Sequence, residues 1–382
     1  YFNLGGPANS PDVHAGNPAH GRPAGRAGQR RGRAQHQAHG TADQREPQRG
    51  ARTFRKRLGV GADGVGKERK QLAQQREGQN HQHQCSDQRG IAALLSGEVD
   101  FVLDPTPQDL ARLRANPDLK VVDGLENRTI FLGMDQFRDE LPGSNVKGKN
   151  PLKDLRVRKA LYQAIDADTI SRNIMRGLGK PTGTLVAPQV AGWTEAVGKR
   201  MPYSVDTAKK LLAEAGYPDG FEVDFACPNN RYINDEAICQ AVTAMWSRIG
   251  VKAKLRTLPL VNYFPMIQRN EASIYMLGWG VPTFDALYSL QSLVRTVGTG
   301  GDGNYNVGRY SNQRMDYLVD RIKVETDAPV RSRMLTEALQ LSNDTVSHIP
   351  LHDQVIPWAM KKNVEMIHRA DNRVDMRAVK VN

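Results

Sequence analysis

From Ile91 to the last residue, apolar positions fall into short periodic groups rather than long runs. Ile91, Ala92, Ala93, Leu94 and Leu95 predict a short helix stopped by Gly97, and Val99, Phe101, Val102 and Leu103 a buried strand. A helix with Leu110 and Leu113 inward is expected over 107–115, followed by strands over 119–122 and 129–134. Leu155, Leu161, Ala164 and Ile165 recur at helical spacing after Asp154 as N-cap, and a second helix over 167–176 follows Asp166 and ends at Gly177. Asp206 is expected to cap a helix whose inner face is Ala208, Leu211, Leu212 and Ala215, with Gly216 at its stop. Phe221, Val223 and Phe225 alternate as a strand. Ile238, Val242, Met245, Trp246 and Ile249 stripe a long helix ended by Gly250, and Val251, Ala253 and Leu255 alternate again. A helix over 261–268, an apolar strand over 273–277, a loop-rich stretch over 278–309, helices over 315–324 and 330–346 and a strand over 349–360 complete the chain. Strand and helix alternate throughout, which predicts an α/β fold with largely buried sheets.

The first quarter follows different rules. From His14 to Thr53 there is no Val, Ile, Leu, Met, Phe, Trp, Tyr or Cys, so no core can form there, and residues 1–90 are expected to be disordered. Residues 1–90 hold 13 Arg and 3 Lys against 7 acids, a net +9 of the chain's +12. The basic character therefore belongs to this segment and says little about the remainder. The length of 382 residues is ample for two or three domains. No apolar run approaches the roughly 20 residues that span a bilayer, and no export signal follows Tyr1 in this chain. Three cysteines, Cys85, Cys227 and Cys239, lack metal-site spacing. Cys227 and Cys239 read first as two buried small hydrophobes, with a single bridge as the alternative for an exported protein.

Several motifs invite chemistry. Gly59, Gly61 and Gly64 form a G-x-G-x-x-G, yet no apolar strand precedes it, and Glu68 stands where a P-loop needs Ser or Thr, so nucleotide binding is not expected. His348, His352 and Asp353 are close in sequence but read as polar residues where a strand crosses between domains, with no metal and no cofactor expected. No catalytic constellation is present, and an enzyme is not expected. What remains is the text from Tyr275 to Tyr288. A strand ending in Gly278, Trp279 and Gly280 and broken at Pro282 places a flat ring and accessible backbone at the carboxyl edge of a sheet, where open α/β sheets bind ligands. Trp279 offers stacking area and Asp285 a partner for a ligand cation. A core Trp beside a tight turn is the plainer alternative.

The chain resembles the family 5 extracellular solute-binding proteins, the oligopeptide- and dipeptide-binding components of bacterial ABC importers. The matching text includes 92–100 (Ala-Ala-Leu-Leu-Ser-Gly-Glu-Val-Asp), 151–161 through Asp166, 206–216, Ile249-Gly250-Val251 and Leu277-Gly278-Trp279-Gly280, in family order over 91–382. The resemblance implies a two-lobed periplasmic-binding-protein fold of type II, the large peptide-binding class. By that pattern 91–130 and 352–382 belong to an incomplete lobe I and 131–351 to lobe II. It further implies a monomeric periplasmic receptor, or a cell-surface lipoprotein in a Gram-positive organism. Such a receptor closes on a peptide or other small solute and delivers it to inner-membrane permease subunits. Gly278, Trp279, Gly280, Asp285 and Tyr288 are the expected ligand-binding residues, with Asn127 and Arg128 beside the first crossing.

Two departures modify the expectation. The resemblance implies an aspartate three residues after the Trp to hold a peptide amino group, and Pro282 stands there, with Asp285 as the nearest carboxylate. Residues 1–90 match nothing in the family and read as out-of-frame translation: one codon choice for 67–73, shifted by one base, gives Lys-Asn-Gly-Asn-Asn-Trp-Arg. On that reading the chain alone has half a cleft and low affinity. The alternative from another class is a basic nucleic-acid-associated protein acting through 14–70; for the solute receptor no nucleic acid is expected as partner.

Overall fold

The computed structural model describes residues 82–382, with side chains from Arg89 onward. The expected disorder of the first quarter, the glycine motif at 59–64 and the basic stretch over 14–70 lie outside the described residues, apart from 82–90. There the reading is corrected, because helix α1 runs Gln82–Ser96 and begins eight residues before Gly90.

Among the described residues the main sheet has seven strands. These are β1 (Phe101–Leu103), β2 (Leu119–Met134), β3 (Gly179–Pro181), β4 (Glu222–Pro228), β5 (Lys252–Leu258), β6 (Ile274–Gly280) and β7 (His348–Lys361). The order is β1-β7-β2-β6-β4-β5, with β3 beside β7. β4 pairs in parallel with β5 and β6, and the pairings of β7 with β1, β2 and β3 and of β2 with β6 are antiparallel. The fold is the mixed α/β kind that the alternating pattern predicts. The two strands expected at 119–122 and 129–134 are one long strand, because the polar text Asp123-Gly124-Leu125-Glu126-Asn127-Arg128 keeps extended backbone across the middle. It does so at the cost of register: β2 and β7 slip between the Leu125 and Thr129 pairings and again between Ile130 and Phe131. Pro350, which has no N–H to give to a ladder, sits at the second slip opposite Phe131.

Helices cover both faces. α2 (Leu110–Ala115), α3 (Leu155–Gln163), α4 (Val205–Glu214), α5 (Asp235–Ser247), α6 (Leu260–Gln268), α7 (Gln313–Val324) and α8 (Ala328–Asp344) are the main ones. Asp154 caps α3 as expected, its side chain accepting from the Arg156 N–H. α4 is capped by Ser204 rather than Asp206, which lies in the first turn where its charge favours the helix dipole. The helix expected over 167–176 is a turn at Ala167–Thr169 that widens over Ile170–Ile174. The stretch over 278–309 holds the end of β6 and a helical turn at Leu287–Ser289 that widens through Val294.

Alternation along β6 divides the core. Ile274 and Met276 join one apolar cluster with Phe225, Ile238 and Trp246; Tyr275, Leu277 and Trp279 join another with Tyr263, Leu318 and Leu339. Ile91, Leu94, Leu113, Leu119 and Ala359 form a separate cluster under α1 and α2. Within the first cluster Cys227 of β4 and Cys239 of α5 are bonded to each other and fully buried. The preference for two free thiols is thus corrected: a cysteine near the end of a strand and one on the inner face of the following helix meet where that helix packs back on the sheet.

Candidate ligand site at the end of β6

β4 and β6 run parallel, so their carboxyl ends, and the loops that leave them, share one edge of the sheet. At that edge Gly278, Trp279 and Gly280 pair with Ile130, Thr129 and Arg128 of β2. Residues Glu126, Asn127 and Arg128 occupy the register slip, which frees them from pairing with β7. The expected site residues Asn127, Arg128, Gly278, Trp279 and Gly280 are therefore brought together, but strand alternation parts them between two faces.

On one face the Trp279 ring is 9% exposed and lies between Tyr288, stacked at 5.3 Å and 27°, and Tyr305, tilted at 4.8 Å. Its Nε1–H finds no acceptor among the described residues. Beyond it the Val281-Pro282-Thr283-Phe284 turn closes with the Phe284 N–H donating to Val281 O at 3.1 Å. Phe284 has φ of 53°, a left-handed conformation that costs a bulky residue energy and sets its half-exposed ring beside this edge. Asp285 is not free to receive a ligand cation: its carboxylate accepts from both Nη atoms of Arg331, at 2.5 and 3.2 Å, and from the Leu287 N–H at 2.9 Å. Asn127 is buried and acts as a clamp, its Nδ2 donating to Val281 O and its carbonyl accepting from the Val281 N–H.

The other face is the glycine face. A side chain at Gly278 would strike the Tyr232 ring, whose OH donates to Gly278 O at 3.3 Å. At Gly280 a hypothetical Cβ would make ordinary contact, 3.7 Å from Arg128 Nη2 and from Asn127 Oδ1. Arg128 donates from Nε to both oxygens of Glu126, and Gln354 donates to the same carboxylate at 2.8 Å. Burial nevertheless raises the Glu126 pKa. Arg231, Tyr232, Tyr305, Glu126 and Arg331 were not singled out by sequence. The signal for the first two was available, since Asn229-Asn230-Arg231-Tyr232 follows a strand whose carboxyl end lies on the ligand edge.

Just inside this edge β2 and β7 carry a buried polar layer. Thr129 Oγ1 donates to Asp353 Oδ1 at 2.6 Å, and burial lifts the Asp353 pKa to about 7. Burial pushes His352 down to about 4 and His348 to about 3, so both are neutral at pH 7. Among the described residues no group of three or more His, Cys, Asp or Glu is placed to hold a metal ion.

One carboxyl edge of the mixed sheet thus carries both the aromatic shelf and the β2–β7 register slip. The family model of the bacterial extracellular solute-binding proteins, family 5, matches residues 84–301, and the chain belongs to that family. Among its relatives, heme-binding protein A of Haemophilus influenzae is 28% identical over 267 residues, 69% of this chain and 46% of that protein. The dipeptide-binding protein of Escherichia coli is 24% identical over 283 residues, 72% of this chain and 49% of that protein. The chain thus spans about half the length of the curated relatives it matches. In fold it is similar to the periplasmic binding protein DppA from Helicobacter pylori, solved in complex with the peptide STSA. The TM-score there is 0.66 at 19% identity, covering 77% of this chain and 55% of that one. HbpA2 from Haemophilus parasuis gives a TM-score of 0.66 at 21% identity, covering 77% and 56%.

Proposed function

We propose that this chain is the substrate-binding component of an ABC importer, capturing a peptide or peptide-like solute and delivering it to inner-membrane permease subunits. It acts by binding and not by catalysis, as a monomer outside the cytoplasm, in the periplasm or on the cell surface. The observation that carries this reading is the coincidence of two features at one edge: the Gly278-Trp279-Gly280 end of β6 and the register slip between β2 and β7. A ligand at that edge touches the shelf and the crossing strands together, so closure about the crossing buries it. Residues 91–130 and 352–382 then form lobe I, and 131–351 lobe II, in keeping with the separate apolar cluster under α1 and α2. The bonded, buried Cys227–Cys239 pair fits a protein that folds in an oxidising compartment. No helix among the described residues is long and apolar enough to cross a membrane.

The test is saturation transfer from the full chain to a pool of di- to pentapeptides, a readout that registers weak binding. Transfer to the peptides is expected, and Trp279→Ala is expected to weaken it about tenfold, as removal of a stacking anchor does. Transfer no greater than to a free sugar control, or unchanged in the variant, contradicts the reading.

A further inference from the structure

The register of the main sheet places Trp279 of β6 opposite Thr129 of β2, Thr129 opposite Asp353 of β7, and Asp353 opposite Lys180 of β3. Residues directly opposite point to the same face, so these four side chains form one row across four strands. Asp353 therefore shares a face with the Trp279 ring, two strands or about 10 Å away. It also stands between the two slips of the β2–β7 ladder, where two pairs, Thr129–Asp353 and Ile130–His352, hold the register.

Asp353 is 2% exposed and forms no ion pair among the described residues. From β2 it accepts the Thr129 hydroxyl at 2.6 Å, and the Thr182 hydroxyl, just after β3, is its other hydrogen-bond partner. Lys180 of β3 is exposed, and its charge acts on the carboxylate only from a distance. Trp279, from β6, brings no charge. The imidazoles of β7, His348 and His352, are held neutral by burial. Glu126, Arg128 and Gln354 satisfy one another on the opposite face. Two hydroxyls in place of a counter-ion leave the charged form poorly compensated, which is why burial lifts the carboxyl to about 7. A solute laid on the Trp279 edge drives water from the same face and makes that charge costlier still.

We infer that Asp353 links solute capture to protons: it takes up a proton as solute covers the row it shares with Trp279, so capture strengthens as pH falls and release is favoured as pH rises. This inference rests on the solute-capture reading and adds its regulation. Asp353 is then a proton-binding residue that acts through the Thr129 side chain and the local dielectric, without touching the solute.

The experiment measures saturation transfer from the full chain to the di- to pentapeptide pool over a concentration series, at about pH 6 and about pH 8, for the wild-type chain and for Asp353→Asn. A rise of about one pH unit in the Asp353 midpoint on capture predicts a wild-type affinity that falls about fivefold over that interval relative to the variant, a comparison that cancels the titration of the peptides themselves. Melting without solute supplies a second readout. The unfolded chain releases this proton near the ordinary value of about 4 and the folded chain only at a higher pH, so the wild type is expected to lose melting temperature relative to Asp353→Asn as pH rises from about 5 to about 8. Thr129→Val removes a donor that favours the charged form and is expected to move the wild-type midpoint upward; an unmoved midpoint overturns the assignment even where Asp353→Asn does not fold. Equal pH dependence of affinity in wild type and Asp353→Asn, a wild-type affinity that gains on the variant with rising pH, or parallel melting profiles overturn the proton link while leaving solute capture standing. Binding by neither chain at either pH overturns both.

Discussion

Arg158→Met is expected to lower the unfolding free energy by about 3–5 kcal/mol, the usual consequence of removing one partner from a buried charged network. Arg158 is 7% exposed and forms no ion pair among the described residues, although the charge of Asp154 acts on it. It donates instead to four backbone carbonyls. Its Nη1 reaches Leu152 O and Lys153 O at 2.8 and 2.9 Å; Nη2 reaches Thr345 O at 2.8 Å and Nε reaches Val346 O at 3.1 Å. The first pair belongs to the turn ahead of α3 and the second to the end of α8, so one planar fork caps a helix C-terminus and joins it to a distant segment. Burial lowers its pKa to about 10, which leaves it charged at pH 7. Methionine fills the space and leaves those carbonyls without their donor. Arg158→Lys recovers only part of the loss, since an ammonium on a single stem cannot reach both segments. The check is a urea midpoint at constant slope; a loss below about 1 kcal/mol would show that the fork is dispensable.

The second large effect concerns the Cys227–Cys239 bridge. The bond spans 12 positions between β4 and α5, both sulfurs are fully buried, and the surrounding cluster includes Met276, Ile238 and Phe225. Opening a ring of this size releases denatured-state entropy worth about 3 kcal/mol, so the double variant Cys227→Ala, Cys239→Ala is expected to lose about that much. Alkylation of the unfolded, unreduced chain should label one of its three cysteines, Cys85. Labelling of all three, together with an undiminished denaturation midpoint in the variant, would remove the bridge from the account.

Much of this fold was legible because local rules and burial agree. Asp154 heads α3 as a cap, Gly216 and Gly250 end their helices with φ of 89° and 83°, and Ile238, Val242 and Trp246 face the core as their spacing requires. The failures lie where tertiary contacts overrule a local signal. The polar text over 123–128 read as a break between strands, yet the backbone stays extended because β7 and β6 pair on either side of it. Ser204 takes the cap from Asp206 because its backbone is already extended at φ −160°. The aromatic shelf was visible at Trp279 and Tyr288. Its third ring, Tyr305, was not, because 16 residues, a widened helical turn and then a loop, separate it from Tyr288 and nothing in the spacing brings it back. Asp285 illustrates the limit most clearly. A carboxylate next to a ligand edge is a reasonable cation partner until Arg331, 46 positions away, is found holding it. Charge pairing across long loops has no periodicity to read.

The central claim is that solute sits against Trp279 at the end of β6, and the indole N–H signals of the four tryptophans test it most directly. Trp246 Nε1 donates to Leu161 O at 2.9 Å and Trp358 Nε1 to Asn372 Oδ1 at 2.9 Å, so both report from closed hydrogen bonds inside the protein. Trp279 and Trp193 have no such acceptor among the described residues. In an indole-labelled chain titrated with the tripeptide pool, the Trp279 resonance, identified by Trp279→Phe, is expected to shift progressively while those of Trp246 and Trp358 stay in place. A titration in which the Trp279 signal does not move while the peptides bind, or in which only Trp193 responds, would place the solute elsewhere and contradict the account.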